Sequence, residues 1–256
     1  MPSTRRTVAV SDAALAVESW GAGDPLLCLH GGMGLDSSYL KAPGILGLAS
    51  DRQRVLVPDQ RGHGRSSRCD PARYTHATWA DDIVELCHGL RLERVALLGH
   101  SYGGFIALEV AVRRSDLLSH LILVGTSAGP VPGSTADPRT DSELRALIRA
   151  RWSGFFAGED KHWEVFERVE VSLAPFLAAL HRELPRYDLR ERLGAITAPT
   201  LLVVGETDPY LPDMRRLERA IKRSRLVVIP GAAHMPFLET PETFRDLVRG
   251  FLSSRA

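Results

Sequence analysis

Val95-Ala96-Leu97-Leu98-Gly99-His100-Ser101-Tyr102-Gly103-Gly104-Phe105 is the stretch on which the fold turns. An apolar run ends in Gly-x-Ser-x-Gly, and Ala107, Leu108, Val110 and Ala111 follow at helical spacing. A strand that turns at once into a helix holds the intervening serine on a sharp bend, its hydroxyl standing above a sheet. Side chains at Gly99 and Gly103 would crowd that bend and the helix packed behind it. The free N–H groups of a helix start favour negative charge developing nearby. Ser101 reads as a nucleophile.

Outward from this turn, short apolar runs alternate with helical patterns. The runs are Pro25–His30, Arg54–Pro58, Arg94–Gly99, His120–Gly125, Thr200–Gly205 and Leu226–Pro230. Most are continuous rather than alternating, as strands covered on both faces of a parallel sheet must be. Helical patterns fall near Tyr74–Leu90, Tyr102–Arg113, Pro212–Lys222 and Pro241–Leu252, the last opened by Thr240 as a capping residue. Thr7–Val10 and Ala14–Trp20 predict an opening antiparallel hairpin. The alternation predicts a doubly wound α/β sheet.

One segment, 127–198, breaks the rhythm. It has no strand-like run, only a Pro/Gly-rich lead-in (Gly129, Pro130, Pro132, Gly133) and helical stretches at Ser142–Phe156 and Lys161–Leu184. Trp152, Phe155, Phe156, Trp163, Phe166 and Phe176 lie there. The expected organisation is a core domain of residues 1–126 and 199–256, with 127–198 inserted as a helical cap over the carboxyl edge of the sheet. Most of its aromatics would pack the helices and a few would face a pocket.

A serine nucleophile needs a base, and the base an orienting acid. His234, in Pro230-Gly231-Ala232-Ala233-His234, follows the last strand, and Asp208, in Gly205-Glu206-Thr207-Asp208, follows the strand before it. Both therefore belong to the sheet edge that carries Ser101, where groups in such sheets converge. The chain order Ser, Asp, His is the one this architecture uses. Glu206 ranks second as the acid. His100 and His63 read as structural, the latter bracing its loop. His30-Gly31-Gly32-Met33-Gly34 follows another strand, and its glycines let backbone N–H groups approach a ligand. An oxyanion would be held by the amide of Gly32 or Met33 together with that of Tyr102. Asp59-Gln60-Arg61-Gly62-His63-Gly64-Arg65-Ser66 reads as a turn held by the Arg61 and Asp59 side chains.

Composition narrows the field. With 256 residues, 44% hydrophobic and 25% charged, the chain has the make-up of a soluble globular protein. A formal net charge of +1 gives no footprint for nucleic acid. No run reaches the length a membrane helix needs, and the stretch after Arg5 and Arg6 lacks the apolar core of a secretory signal. Cys28, Cys69 and Cys87 have no metal-like spacing and cannot all pair, which suits a reducing cytoplasm. The expected partner is a small-molecule substrate, the chain being a monomer or homodimer.

Taken together, His30-Gly31-Gly32, Asp59 to Ser66, Gly99 to Gly104, Gly205 to Asp208 and Gly231 to His234 resemble the α/β-hydrolase superfamily over essentially the whole length. The resemblance implies a mostly parallel eight-stranded sheet, a helical cap and no cofactor. Within it the Ser101 turn is similar to enol-lactonases and small esterases, implying a serine hydrolase of carboxylic esters or lactones. Gly31-Gly32-Met33-Gly34 with Asp59 to Gly62 resembles proline iminopeptidases, which need acidic residues for a substrate's amino terminus. Glu159, Glu164, Glu167 and Glu170 are the acids available in the insertion. A small-molecule receptor built on the same pocket is a third alternative.

Overall fold

The computed structural model describes residues 2–132 and 135–253. Gly133, part of the lead-in to the insertion, lies outside them. The strands are β1 (Thr4–Val10), β2 (Ala13–Trp20), β3 (Asp24–Leu29), β4 (Gln53–Pro58), β5 (Val95–His100), β6 (Leu118–Val124), β7 (Thr200–Gly205) and β8 (Ser224–Ile229). They form one eight-stranded sheet in the order β1-β2-β4-β3-β5-β6-β7-β8. β2 pairs antiparallel with β1 and with β4, and every pairing from β4 across to β8 is parallel. Central β5 and β7 are buried at every position, which is why their sequences run apolar without alternation.

Helices cover both faces. Along the chain they are α1 (Pro43–Leu46), α2 (His76–Gly89), α3 (Tyr102–Arg113), α4 (Asp141–Trp152), α5 (Trp163–Phe166), α6 (Leu173–Ala178), α7 (Leu211–Ala220), α8 (Pro236–Glu239) and α9 (Pro241–Ser253). Leu27, Leu29 and Leu97 point to the face packed by α2, α3 and α7. Their neighbours Leu26, Cys28, Ala96 and Leu98 point to the face covered by α1, α8 and α9, through Ile45, Phe237, Phe244 and Val248. Thr240 does not cap α9 with its hydroxyl. That hydroxyl donates back to the Pro236 carbonyl at 3.1 Å, closing α8 instead.

Between β6 and β7 the helical stretch expected over Lys161–Leu184 is broken. α5 starts after His162, which is left-handed (φ 47°), and ends at Phe166. The chain then runs extended through Glu170–Ser172 before α6 and a π-helical turn, Ala179–Glu183. The extended part is spoken for elsewhere. Val171 pairs antiparallel with Leu35, the Asp36 amide donates to the Glu170 carbonyl (3.0 Å), and the Ser172 amide donates to the Gly34 carbonyl (2.7 Å). Backbone groups bonded to the loop after β3 are not available to a helix. Trp152 and Phe166 are fully buried with their rings tilted and centroids 5.2 Å apart, and with Phe156 they extend the core that covers the α1, α8 and α9 face of the sheet. Trp163 is the exposed member, at 40%.

Candidate active site

Ser101 sits between β5 and α3 with φ 51° and ψ −118°, a conformation that costs a non-glycine residue energy and persists only where its surroundings hold it. The Ser101 amide donates to the Val124 carbonyl (2.8 Å) and the Ser101 carbonyl accepts from the Thr126 hydroxyl (2.9 Å). Gly103 permits the close packing: a Cβ there would lie 2.3 Å from the Leu29 carbonyl oxygen. The end of β5, the start of α3 and the end of β3 are thus locked together.

His234 and Asp208 meet as the chain order predicts. His234 Nδ1 donates to Asp208 Oδ2 at 2.9 Å, with both side chains buried. Asp208 Oδ1 accepts from the Tyr210 amide at 2.8 Å, so the carboxylate is aimed by its own turn. Glu206 points away and accepts from the Gly231 amide. The imidazole lies between two rings, Tyr210 stacked at 5.6 Å and Phe155 tilted at 5.6 Å, and the His234 amide donates to the Phe155 carbonyl (3.0 Å). Gly125, at the end of β6, clears the space: a Cβ there would come within 2.5 Å of Asp208 Oδ2.

Ser101, His234, Gly32, Met33 and Tyr102 border one cavity of about 270 Å³. Among the described residues no hydrogen bond joins Ser101 Oγ to His234. His234 is thus bonded to Asp208 and borders the same cavity as Ser101 without a bond to it. A wider groove of about 720 Å³ runs along Ser127–Pro132 and α7, and Tyr210 borders both spaces.

The loop after β3 is held from several sides. The Gly31 amide donates to the Tyr39 hydroxyl, which in turn donates to His100 Nδ1 (2.8 Å), and His100 Nε2 donates to the His234 carbonyl (2.9 Å). Burial keeps the His100 imidazole well below its ordinary pKa, so this connector is neutral. The Gly34 amide donates to His63 Nε2 (3.2 Å), while His63 Nδ1 donates to the Arg61 carbonyl (3.0 Å). Burial, reinforced by neighbouring His30, pushes His63 down to about 3. His63 therefore braces its loop as a neutral ring. Asp59 accepts from the Ser37 amide (3.1 Å) and the Arg65 amide (3.0 Å). Burial opposes its ionisation, but these donors and the Ser37 hydroxyl outweigh it and hold the carboxyl below its usual value.

The family model of the alpha/beta hydrolase family matches residues 26–247. The chain belongs to that family. Its relatives span several activities. A protein carrying the name carbamate hydrolase RutD, from Rhizobium rhizogenes, is 30% identical over 250 residues, covering 90% of this chain and 93% of the relative. Proline iminopeptidase PfmaB of Pestalotiopsis fici is 30% identical over 285 residues, covering 96% and 98%. Among solved structures, a thermophilic esterase from Thermogutta terrifontis superposes with a TM-score of 0.76 at 32% identity, covering 98% of both chains. This α/β-hydrolase is thus a hydrolase whose relatives do not share one substrate.

Several residues of the site carried no motif. Tyr39, Gly125, Phe155 and Tyr210 pack around His100, Asp208 and His234, yet only Gly125, a glycine closing an apolar run, left a trace in the sequence. Tyr210 follows Asp208 by two residues and could have been placed beside it on proximity. Among the described residues no group of His, Cys, Asp and Glu is arranged to hold a metal ion.

Proposed function

We propose that this α/β-hydrolase cleaves a carboxylic ester or lactone through an acyl-enzyme on Ser101. The observation that carries the reading is the buried His234–Asp208 bond at 2.9 Å, bordering the cavity that Ser101 enters. Ser101 Oγ attacks the substrate carbonyl as its proton passes to His234 Nε2. Asp208 fixes the imidazole tautomer and stabilises the imidazolium that forms. The oxyanion lies against the amides of Gly32 or Met33 and of Tyr102. His234 then gives its proton to the departing alkoxide. A water deprotonated by the same ring attacks the acyl group, releasing the acid and restoring Ser101. The insertion 127–198 acts as the cap, since Phe155, Arg151 and Leu184 contribute to the cavity wall. No cofactor enters these steps. Free Cys28, Cys69 and Cys87 suit a reducing cytoplasm, and among the described residues no helix is long and apolar enough to cross a membrane.

Ser101→Ala decides the matter. Loss of ester turnover and of labelling by a serine-reactive phosphonate is expected, and undiminished turnover rejects the mechanism. Proline iminopeptidase activity, the name borne by one relative, is the second reading. It needs carboxylates at the pocket. Glu167 is instead paired with Arg145 and Arg149, and no Asp or Glu is among the residues lining the cavity. That favours the ester.

A further inference from the structure

Resting on the ester-hydrolase reading, the cavity wall bears on which acyl compound it takes. Met33, Leu35, Phe105, Phe155, Leu184 and Met235 give it an apolar surface. Apart from the Ser101 and His234 machinery, one formally charged side chain borders it, Arg151. Arg151 lies in the last turn of α4. Several other arginines of this region have acids. Arg145 and Arg149, on the same helix, share Glu167; Arg182 holds Glu183; Arg190 holds Asp188. Arg139, Arg168 and Arg186, which pair with no carboxylate among the described residues, do not border this cavity. Among the described residues no carboxylate pairs with Arg151, and Asp208 is committed to His234.

Arg151 is exposed, so it stands at the solvent side of the cavity, where its unpartnered guanidinium attracts an anion although water screens part of its charge. Its planar fork also matches a carboxylate in two parallel hydrogen bonds. The same charge repels a protonated amino terminus. A volume of about 270 Å³ is at the small end for a ligand site, which limits the acyl chain to a short one. We propose that Arg151 selects short esters or lactones that carry a carboxylate away from the scissile carbonyl, such as monoesters of dicarboxylic acids.

The test compares two aryl esters of equal chain length, the p-nitrophenyl monoester of adipic acid and p-nitrophenyl hexanoate. The readout is the ratio of their kcat/KM values, from which any shared loss of folding or of chemistry cancels. Arg151→Ala should lower that ratio by about 3- to 10-fold, a charge-assisted bond discounted for the solvent that reaches Arg151. Arg151→Lys should keep part of the preference, and Arg151→Glu should drive it below the alanine value. Raised salt should weaken the preference in the unaltered protein. A second arm measures binding of monomethyl adipate against neutral dimethyl adipate to Ser101→Ala by calorimetry, with and without Arg151→Ala. Ser101-dependent hydrolysis with a ratio that stays within about twofold across the variants overturns this proposal alone. No hydrolysis and no labelling of Ser101, alongside Arg151-dependent binding of the monoester, overturns the hydrolase reading and leaves the carboxylate site standing. Binding indifferent to Arg151 overturns the site in either case.

Discussion

Arg61→Met removes a fully buried guanidinium whose Nε and Nη2 grip Asp82 at 2.7 and 2.6 Å. Its third bond, Nη1 to Asp12 Oδ1 at 2.7 Å, ends on a half-exposed carboxylate that water can satisfy. Asp82 has no such recourse, being 2% exposed on the inner side of α2. Breaking a buried pair from one side strands the remaining charge, at a cost of about 3–5 kcal/mol. At the size of this chain each kcal/mol moves the melting temperature by about 2 °C, so the expected drop is about 6–10 °C. The control is Arg61→Met combined with Asp82→Leu. Replacing both charges with apolar groups of similar bulk should recover most of the loss, because the stranded carboxylate is gone. Thermal melts followed by circular dichroism measure all three proteins. A single variant melting within about 2 °C of the parent, or a double variant no better than the single, refutes the reasoning. Turnover should fall with stability, since the Arg61 carbonyl accepts both the Trp79 indole N–H (3.1 Å) and His63 Nδ1–H.

Asp208→Asn keeps the shape of the acid but presents a donor to His234, and kcat for a p-nitrophenyl ester should fall about 10⁴-fold with little change in melting temperature; a loss below about tenfold removes Asp208 from the relay. Gly103→Ala places a methyl 2.3 Å from the Leu29 carbonyl and 2.6 Å from that of His30, both backbone atoms. Overpacking there should cost about 1–3 kcal/mol or more and displace the Ser101 turn, seen as a lower melting temperature together with a lower kcat. Stability should also fall as pH drops. Burial pushes His30 down to about 4 and His76 and His63 to about 3, against about 6.5 for an unfolded histidine. Below pH 6.5 the unfolded chain binds protons that the folded chain refuses, so the stability present above that pH is lost on acidification. Each such histidine contributes a slope of up to about 1.4 kcal/mol per pH unit. Melting temperatures should decline from pH 7 to pH 5, less steeply in His76→Phe, and a flat profile removes the argument.

The parallel part of the sheet was legible because burial on both faces leaves no room for alternation, and Val95–Leu98 or Leu201–Val204 can be little else. Exact ends were less so. β4, β6 and β8 begin one or two residues before their apolar runs, at Gln53, Leu118 and Ser224, because hydrogen bonding to a neighbour continues past the buried stretch. The sequence of the insertion predicts two helical stretches, and the structure breaks the second. Apolar spacing over Lys161–Leu184 is compatible with one helix, but Val171 is taken by Leu35 in a bridge that local sequence cannot announce. Ser101, Asp208 and His234 could be proposed from the sequence because each sits just past a strand, so position along the chain translates into position at one edge. Arg151 and Phe155 reach the same cavity from the insertion, where no strand end supplies that translation.

The histidines near the site divide by what their ring nitrogens already do. His30 Nε2 accepts from the Gln60 amide at 3.0 Å and its Nδ1 faces the Gly31 carbonyl at 3.2 Å. His63 and His100 likewise have both nitrogens engaged, one as donor to a carbonyl and one as acceptor. A ring used in this way has no lone pair to offer a substrate, and burial denies it a second proton. What it supplies is a fixed spacing between loops: His30 spans β3 and β4, His63 joins the turn after β4 to the glycine loop, and His100 joins the Ser101 turn to the loop of His234. His234 differs in the one respect that matters. Its Nδ1 is given to a carboxylate, and among the described residues its Nε2 has no protein partner. The ring borders the space that Ser101 borders. The proposed base is therefore the histidine the neighbouring network leaves free, and the other three set the geometry in which it can act.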